Sequence, residues 1–141
     1  MRTVQDVLDQ YKLAVYNQDI SLFMDLYDDS IHIFDSWNSW EIKSKLDWNK
    51  VIENWFSGLR RDGSTLKVSF EDHAIHEDDS VAFIHTSIRF SEFNSHKIEF
   101  RHLTNRFTFG LIKKNDEWKI IHEHSSLPID SDQGTGLFNL K

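Results

Sequence analysis

The sequence predicts an α+β domain in which three helices come first and a run of antiparallel strands follows. Three observations lead there. The first sixty residues carry apolar side chains at helical spacing. After Gly63 the pattern changes to extended runs separated by short polar turns. The only proline, Pro128, stands after the last of these runs, so none interrupts a strand.

Each element has its own signal. Val4, Val7, Leu8, Tyr11, Ala14 and Val15 predict a helix over 3–18, with Thr3 as its cap and Asp6 three residues on. Asn17-Gln18-Asp19 breaks that pattern. Asp19 then caps a short second helix whose apolar face is Ile20, Leu22, Phe23, Leu26 and Tyr27. Asp28-Asp29-Ser30 reads as a turn. Residues 31–35 read as a short strand in which Ile31, Ile33 and Asp35 alternate with His32 and Phe34. A loop with Trp37, Asn38 and Trp40 leads to a third helix over 46–59. Leu46, Trp48, Val51, Ile52, Trp55, Phe56 and Leu59 face inward there, and Gly58 and Gly63 mark the end. Strands are expected at about 65–76, 81–93, 98–113 and 117–126, with turns at 77–80, 94–97 and Asn115-Asp116. The expected organisation is one domain over 1–128 and a loose tail over 129–141, where Leu137, Phe138 and Leu140 are available to dock on a partner.

Composition narrows the function. A chain of 141 residues suits one domain. Five Trp and eleven Phe suit a ring-lined core around a cavity. The net charge is −7 and the basic residues are scattered, which argues against nucleic acid as a partner. There is no Cys, no Gly-rich phosphate loop and no G-x-S-x-G. The segment MRTVQDVLDQYKLAV is amphipathic and carries acids, with no apolar core or small-residue cleavage site, unlike a signal peptide, and no apolar run approaches the roughly 20 residues that cross a bilayer. The expectation is a soluble cytoplasmic protein with no nucleic acid or membrane partner.

Two stretches resemble a known superfamily. VQDVLDQYKLAVYNQDISLFMDLYDDSIHIFDSW is similar to the N-terminal half of bacterial ketosteroid isomerases and SnoaL-like proteins: a helix, a D-I/L-x-x-x-x-x-L-Y-D-D pattern, then a strand ending in an acid. RFTFGLIKKNDEWKIIHEHSSLPI resembles the SnoaL-like close, R-x-T and then W-x-I-x-H-x-H-x-S. The resemblance implies the conical nuclear transport factor 2-like fold, three helices packed on a curved, mostly antiparallel sheet that encloses a pocket. It implies Asp35 as a proton-shuttling base and Tyr11 as the hydrogen-bond donor to a developing enolate. The third ketosteroid-isomerase group, a neutral Asp on a later strand, has no counterpart: strand 98–113 carries Glu99, Arg101, His102, Asn105 and Arg106 instead.

The residues themselves support a pocket site. Among Phe34, Trp37 and Trp40 the Asp35 carboxylate would be partly desolvated, which makes it a better base near neutral pH; the plainer use of such an Asp is to cap the following loop. Tyr11 lies on the inward face of the first helix, where it could equally be a core Tyr. His122 and His124 share a strand face. A two-residue turn at Asn115-Asp116 puts Phe109 near His122 and Phe107 near His124, so that face, with Asn105 and Thr86, is assigned to the pocket. The imidazoles could serve as general acid and base, as in dehydratases of the superfamily, could bind a metal with a third ligand such as Asp35, or could be structural. Trp37, Trp40 and Trp55 join Asn105, Arg106, Phe107 and Phe109 as substrate-binding candidates. The opposite sheet face is polar: pairing across 94–97 sets His85 opposite Arg106 and Arg89 opposite His102, with Glu123 beside Arg106 as an ion pair. One β-bulge would reverse that assignment and turn Arg106 inward.

The functional expectation is a small-molecule protein, an acid–base enzyme of isomerase, dehydratase or cyclase type that needs no cofactor and no metal. The alternative is a non-catalytic ligand-binding or association module of the same fold. In either case the outer sheet face is expected to form a homodimer.

Overall fold

In the computed structural model, residues 1–138 and 140–141 are described. The elements are α1 (Val4–Asn17), α2 (Ile20–Asp25), β1 (Tyr27–Phe34), α3 (Lys45–Asp62), β2 (Thr65–Glu77), β3 (Val81–Phe93), β4 (Glu99–Lys114) and β5 (Glu117–Ser126). The strands lie in the order β1-β5-β4-β3-β2. Only β1 and β5 run parallel. Three helices cover one face of this curved sheet, which is the predicted α+β cone. Among the described residues no helix is long and apolar enough to cross a membrane.

Local chemistry starts and stops the helices where the sequence indicates. Thr3 and Asp6 form a reciprocal capping box on α1. Asp19 accepts from the Leu22 amide at 3.0 Å to start α2. Ser44 starts α3, and Gly63 ends it in the left-handed conformation, φ 66°. The third helix therefore runs three residues past the expected end. Leu46, expected inward, is 66% exposed in its first turn. Helices and sheet meet in a cluster of rings: Phe23 lies 5.1 Å from Tyr11, 5.3 Å from Tyr27 and 5.7 Å from Phe56.

Asp28-Asp29-Ser30 belongs to β1 rather than to a turn. Its pairing with β5 slips between Tyr27 and His32. Asp28 is buried there and takes Lys114 Nζ at 3.0 Å. The β3–β4 register also differs from the expected one by two residues. His85 faces Thr108, Arg89 faces Thr104, and Arg106 faces Ser87. The cause is the hairpin end: Phe93 pairs with Glu99 while Glu92 pairs with Arg101, which leaves Phe100 as an extra residue. A further irregularity between Glu71 and Ala74 includes Asp72 at φ 53°, a bend in β2.

The segment after β5 folds back on itself. Ile129 bridges to Gly136, and Leu137 donates its amide to Pro128 O at 2.8 Å. Phe138 stacks on Trp37 at 5.6 Å, and Lys141 reaches Asp72 at 3.2 Å. Asn139, part of the tail expected to be loose, lies outside the described residues.

Candidate functional site

A cavity of about 730 Å³ lies between the inner sheet face and the helices. The first helix contributes Tyr11, the second Phe23, and the segment after β1 contributes Asp35, Trp37 and Asn38. Trp48, Val51, Ile52, Asn54 and Trp55 come from α3. The sheet adds Leu66, Phe90, Glu92, Arg101, His102, Leu103, Asn105, Phe107 and Glu123. The lining is mostly apolar with a few polar groups, the usual composition of a small-molecule site.

Asp35 follows the last residue of β1 and is half-buried. Burial raises its pKa above the ordinary carboxylate value, opposed by hydrogen bonds from Ser125 Oγ and the Ser36 amide. The Ser125 bond measures 3.2 Å. Ser36 in turn is held by Ser125, with Oγ–Oγ at 2.9 Å, and the Asn105 amide nitrogen reaches Ser36 Oγ at 3.5 Å. A polar chain thus fixes Asp35 between β4 and β5.

Glu123 is the second acid, only 2% exposed. Burial pushes its carboxyl up to about 8, with the nearby Asp35 charge adding and the Tyr27 hydrogen bond opposing. Tyr27 donates its hydroxyl to Oε1 at 2.5 Å. Tyr11 is likewise buried, and its phenol is held well above the ordinary value by burial and by the carboxyls of Glu123 and Asp35. The Tyr11 ring packs on Phe23, Phe70 and Phe109.

The structure brings together Asp35, Tyr11, Trp37, Trp55, Asn105 and Phe107 on one cavity. It separates the others. His122 and His124, expected inside, lie on the outer face, and Glu123, expected outside, lies inside. The Asn115-Asp116 turn is as predicted, with Lys114 paired to Glu117 and Leu111 to Ile120. Beyond that point Gly110 pairs with His122, so Ile121 is an extra residue on β5. This bulge shifts the alternation by one, and Trp118, Ile120, Glu123 and Ser125 become the buried set. His122 Nδ1 donates to His32 O at 2.6 Å, and both imidazoles pack edge-on against Phe34.

Arg106 remains outside, bonded to Ser126 at 3.2 Å, so its expected ion pair with Glu123 does not form. Trp40 is 89% exposed and borders a separate outer groove of about 710 Å³ together with His124. Phe109 packs behind Tyr11, away from the cavity surface. Thr86 turns its hydroxyl onto the Glu71 and Ser87 carbonyls. Among the described residues no group of three His, Asp or Glu side chains is placed to hold a metal ion.

Sequence reasoning did not select Glu123, Trp48, Glu92, Arg101 or His102. For Glu92 a signal existed: it shares strand parity with Ile88 and Phe90, both inward. For Glu123 the two-residue alternation pointed the wrong way.

Comparison with known proteins places this architecture. The SnoaL-like domain family matches residues 4–130. The chain belongs to the SnoaL-like family. This SnoaL-like protein is similar in structure to an NTF2-like protein of unknown function from Pseudomonas putida KT2440, at 24% identity over 98% of this chain and 93% of that one, with a TM-score of 0.83. Aln2 from a Streptomyces species is 9% identical over 87% of this chain and 86% of its own, with a TM-score of 0.74. An uncharacterised cystatin-like-fold protein from Caulobacter vibrioides is 11% identical over 92% and 89%, with a TM-score of 0.70. These likenesses are of fold. No curated protein matches the SnoaL-like sequence.

Proposed function

We propose that this SnoaL-like protein is a cofactor-independent acid–base enzyme acting on a small, largely apolar organic molecule. The observation that carries the reading is the pair of carboxyls on one cavity in unlike environments. Groups whose surroundings push their pKa values apart divide acid and base roles between them. Asp35, partly solvated and held by Ser125, is the base. Glu123, pushed up to about 8, stays protonated at neutral pH. Tyr27 donates to its Oε1, so the acid proton is available on Oε2. Tyr11 and Glu123 then serve as two neutral donors to an oxygen that gains negative charge. In the step that fits, Asp35 removes a proton from carbon next to a carbonyl, the electron pair moves to the carbonyl oxygen, and Asp35 returns the proton elsewhere on the same molecule. Isomerisation, dehydration and cyclisation all begin in this way.

The test works with surrogate substrates. A panel of cyclic ketones and enones is incubated with protein in D₂O, and loss of the α-proton signal is followed by NMR. Exchange with the wild type is expected to exceed that with Asp35→Asn by roughly 10²–10⁴-fold, the usual contribution of a positioned base. Equal exchange by the two proteins removes Asp35 from the mechanism.

The same proposal includes a homodimer through the outer sheet face. Support comes from exposed apolar groups there, with Val81 and Phe83 among them, and from Phe83 stacked on His76 at 4.6 Å.

A further inference from the structure

Three buried polar atoms on cavity-lining residues have no hydrogen-bond partner among the described residues: Trp48 Nε1, Asn105 Oδ1 and Glu92 Oε2. A buried polar atom without a partner costs free energy, and an ionised one costs most. Glu92 is therefore the atom that most needs explaining. It is 6% exposed, and only one of its two oxygens is engaged, by Arg101 Nε at 2.7 Å.

Its position in the sheet gives it a distinct place along the cavity. Inward residues of β3 and β4 form successive rows: Ile88 with Asn105, Phe90 with Leu103, Glu92 with Arg101. Asn105 touches Ser36, next to Asp35. Glu92 stands four residues further along the strands, on the order of 13 Å at about 3.3 Å per residue. The row between them is apolar. Exposed Arg101 and His102 lie beside Glu92, so this end is part of the cavity mouth.

From this arrangement we infer that Glu92 is a specificity-determining residue, which accepts a hydrogen bond from a neutral hydroxyl at the end of the ligand remote from Asp35. The inference rests on the cavity being a small-molecule site and adds the chemical class of the ligand. That class is an elongated apolar body with a hydroxyl donor at its outer end. A hydroxyl fits better than an ammonium because Arg101 already balances the Glu92 charge. A ligand lacking the donor leaves the second carboxylate oxygen dry, and a site built this way rejects such a ligand strongly.

Two probes of matched shape test it: biphenyl and 4-phenylphenol, titrated against the full chain by quenching of tryptophan fluorescence. The wild type is expected to bind 4-phenylphenol at least about 10-fold more tightly, the size of a hydrogen bond to a charged acceptor. Glu92→Met is expected to bring the two affinities to within about twofold of each other. This variant should fold, because Arg101 is 66% exposed and its charge returns to water. Near-UV circular dichroism checks that, and the wild-type comparison stands without any variant. Equal wild-type affinities overturn the inference. So does a preference that survives Glu92→Met, which would assign the hydroxyl to the deep end near Glu123. If neither probe binds, the small-molecule reading of the cavity itself falls, a result distinct from binding without preference.

Discussion

Glu123 ties the site to the stability of the protein. Its folded pKa of about 8 lies above the ordinary 4.5, so the native state holds a proton that the unfolded chain has released. The sign follows from linkage: between those values the native state binds more protons, and stability falls as pH rises. The effect is complete once pH passes about 8, and amounts to on the order of 5 kcal/mol if the whole difference is realised. Urea unfolding between pH 5 and 9 should therefore show a declining free energy, and Glu123→Gln should flatten the decline. A wild-type curve with no decline over this range would show Glu123 ionised in the fold. Tyr11 adds nothing to this window, since both burial and its neighbours raise a phenol pKa that is already high.

The elements themselves were largely legible. Thr3 with Asp6, Asp19, and Gly63 announce helix ends, because caps are local chemistry that survives any tertiary context. Asn115 and Asp116 both take positive φ and make the tight turn that their residue types favour. Bulges are different. Ile121 is an ordinary strand residue, and nothing local marks it as the extra one. Yet it decides that Glu123, rather than His122, faces the cavity. Asp35 reached the cavity as expected because the slip in β1 lies before His32 and the register is regular from there to Phe34, and Tyr11 because it stands within the helix α1. Removing the extra residue gives a direct test. Without Ile121, regular alternation still pairs Leu111 with Ile120, Gly110 with His122 and Phe109 with Glu123. The deletion should cost no more than an ordinary destabilising change, about 0.5–3 kcal/mol. It should keep the decline of stability with pH, since Glu123 stays inside. A deletion variant with a flat pH profile would place the bulge elsewhere.

At the scale of the molecule, helices-before-strands order was enough to foresee an α+β fold with its helices on one sheet face, and the superfamily resemblance supplied the cone. The partner was not legible. The two outer clusters, His32–Phe34–His122–His124 and His76–Phe83–His85, are rings set on a face that water reaches. The proposed dimer covers roughly 800 Å² of each copy if it is of standard size. Light scattering at micromolar concentration should give twice the chain mass, and Phe83→Asp should halve it. A monomeric wild type counts against the outer face as a self-association surface.

Asp35 and Trp37 border both the inner cavity and the outer groove. The short stretch that carries them is therefore a wall shared by the two spaces, with the Asp35 carboxyl and the Trp37 indole set into it. Phe138 leans on that indole from the outside. The indole that lines the inner space thus meets a ring of the tail, Phe138, which borders only the outer one.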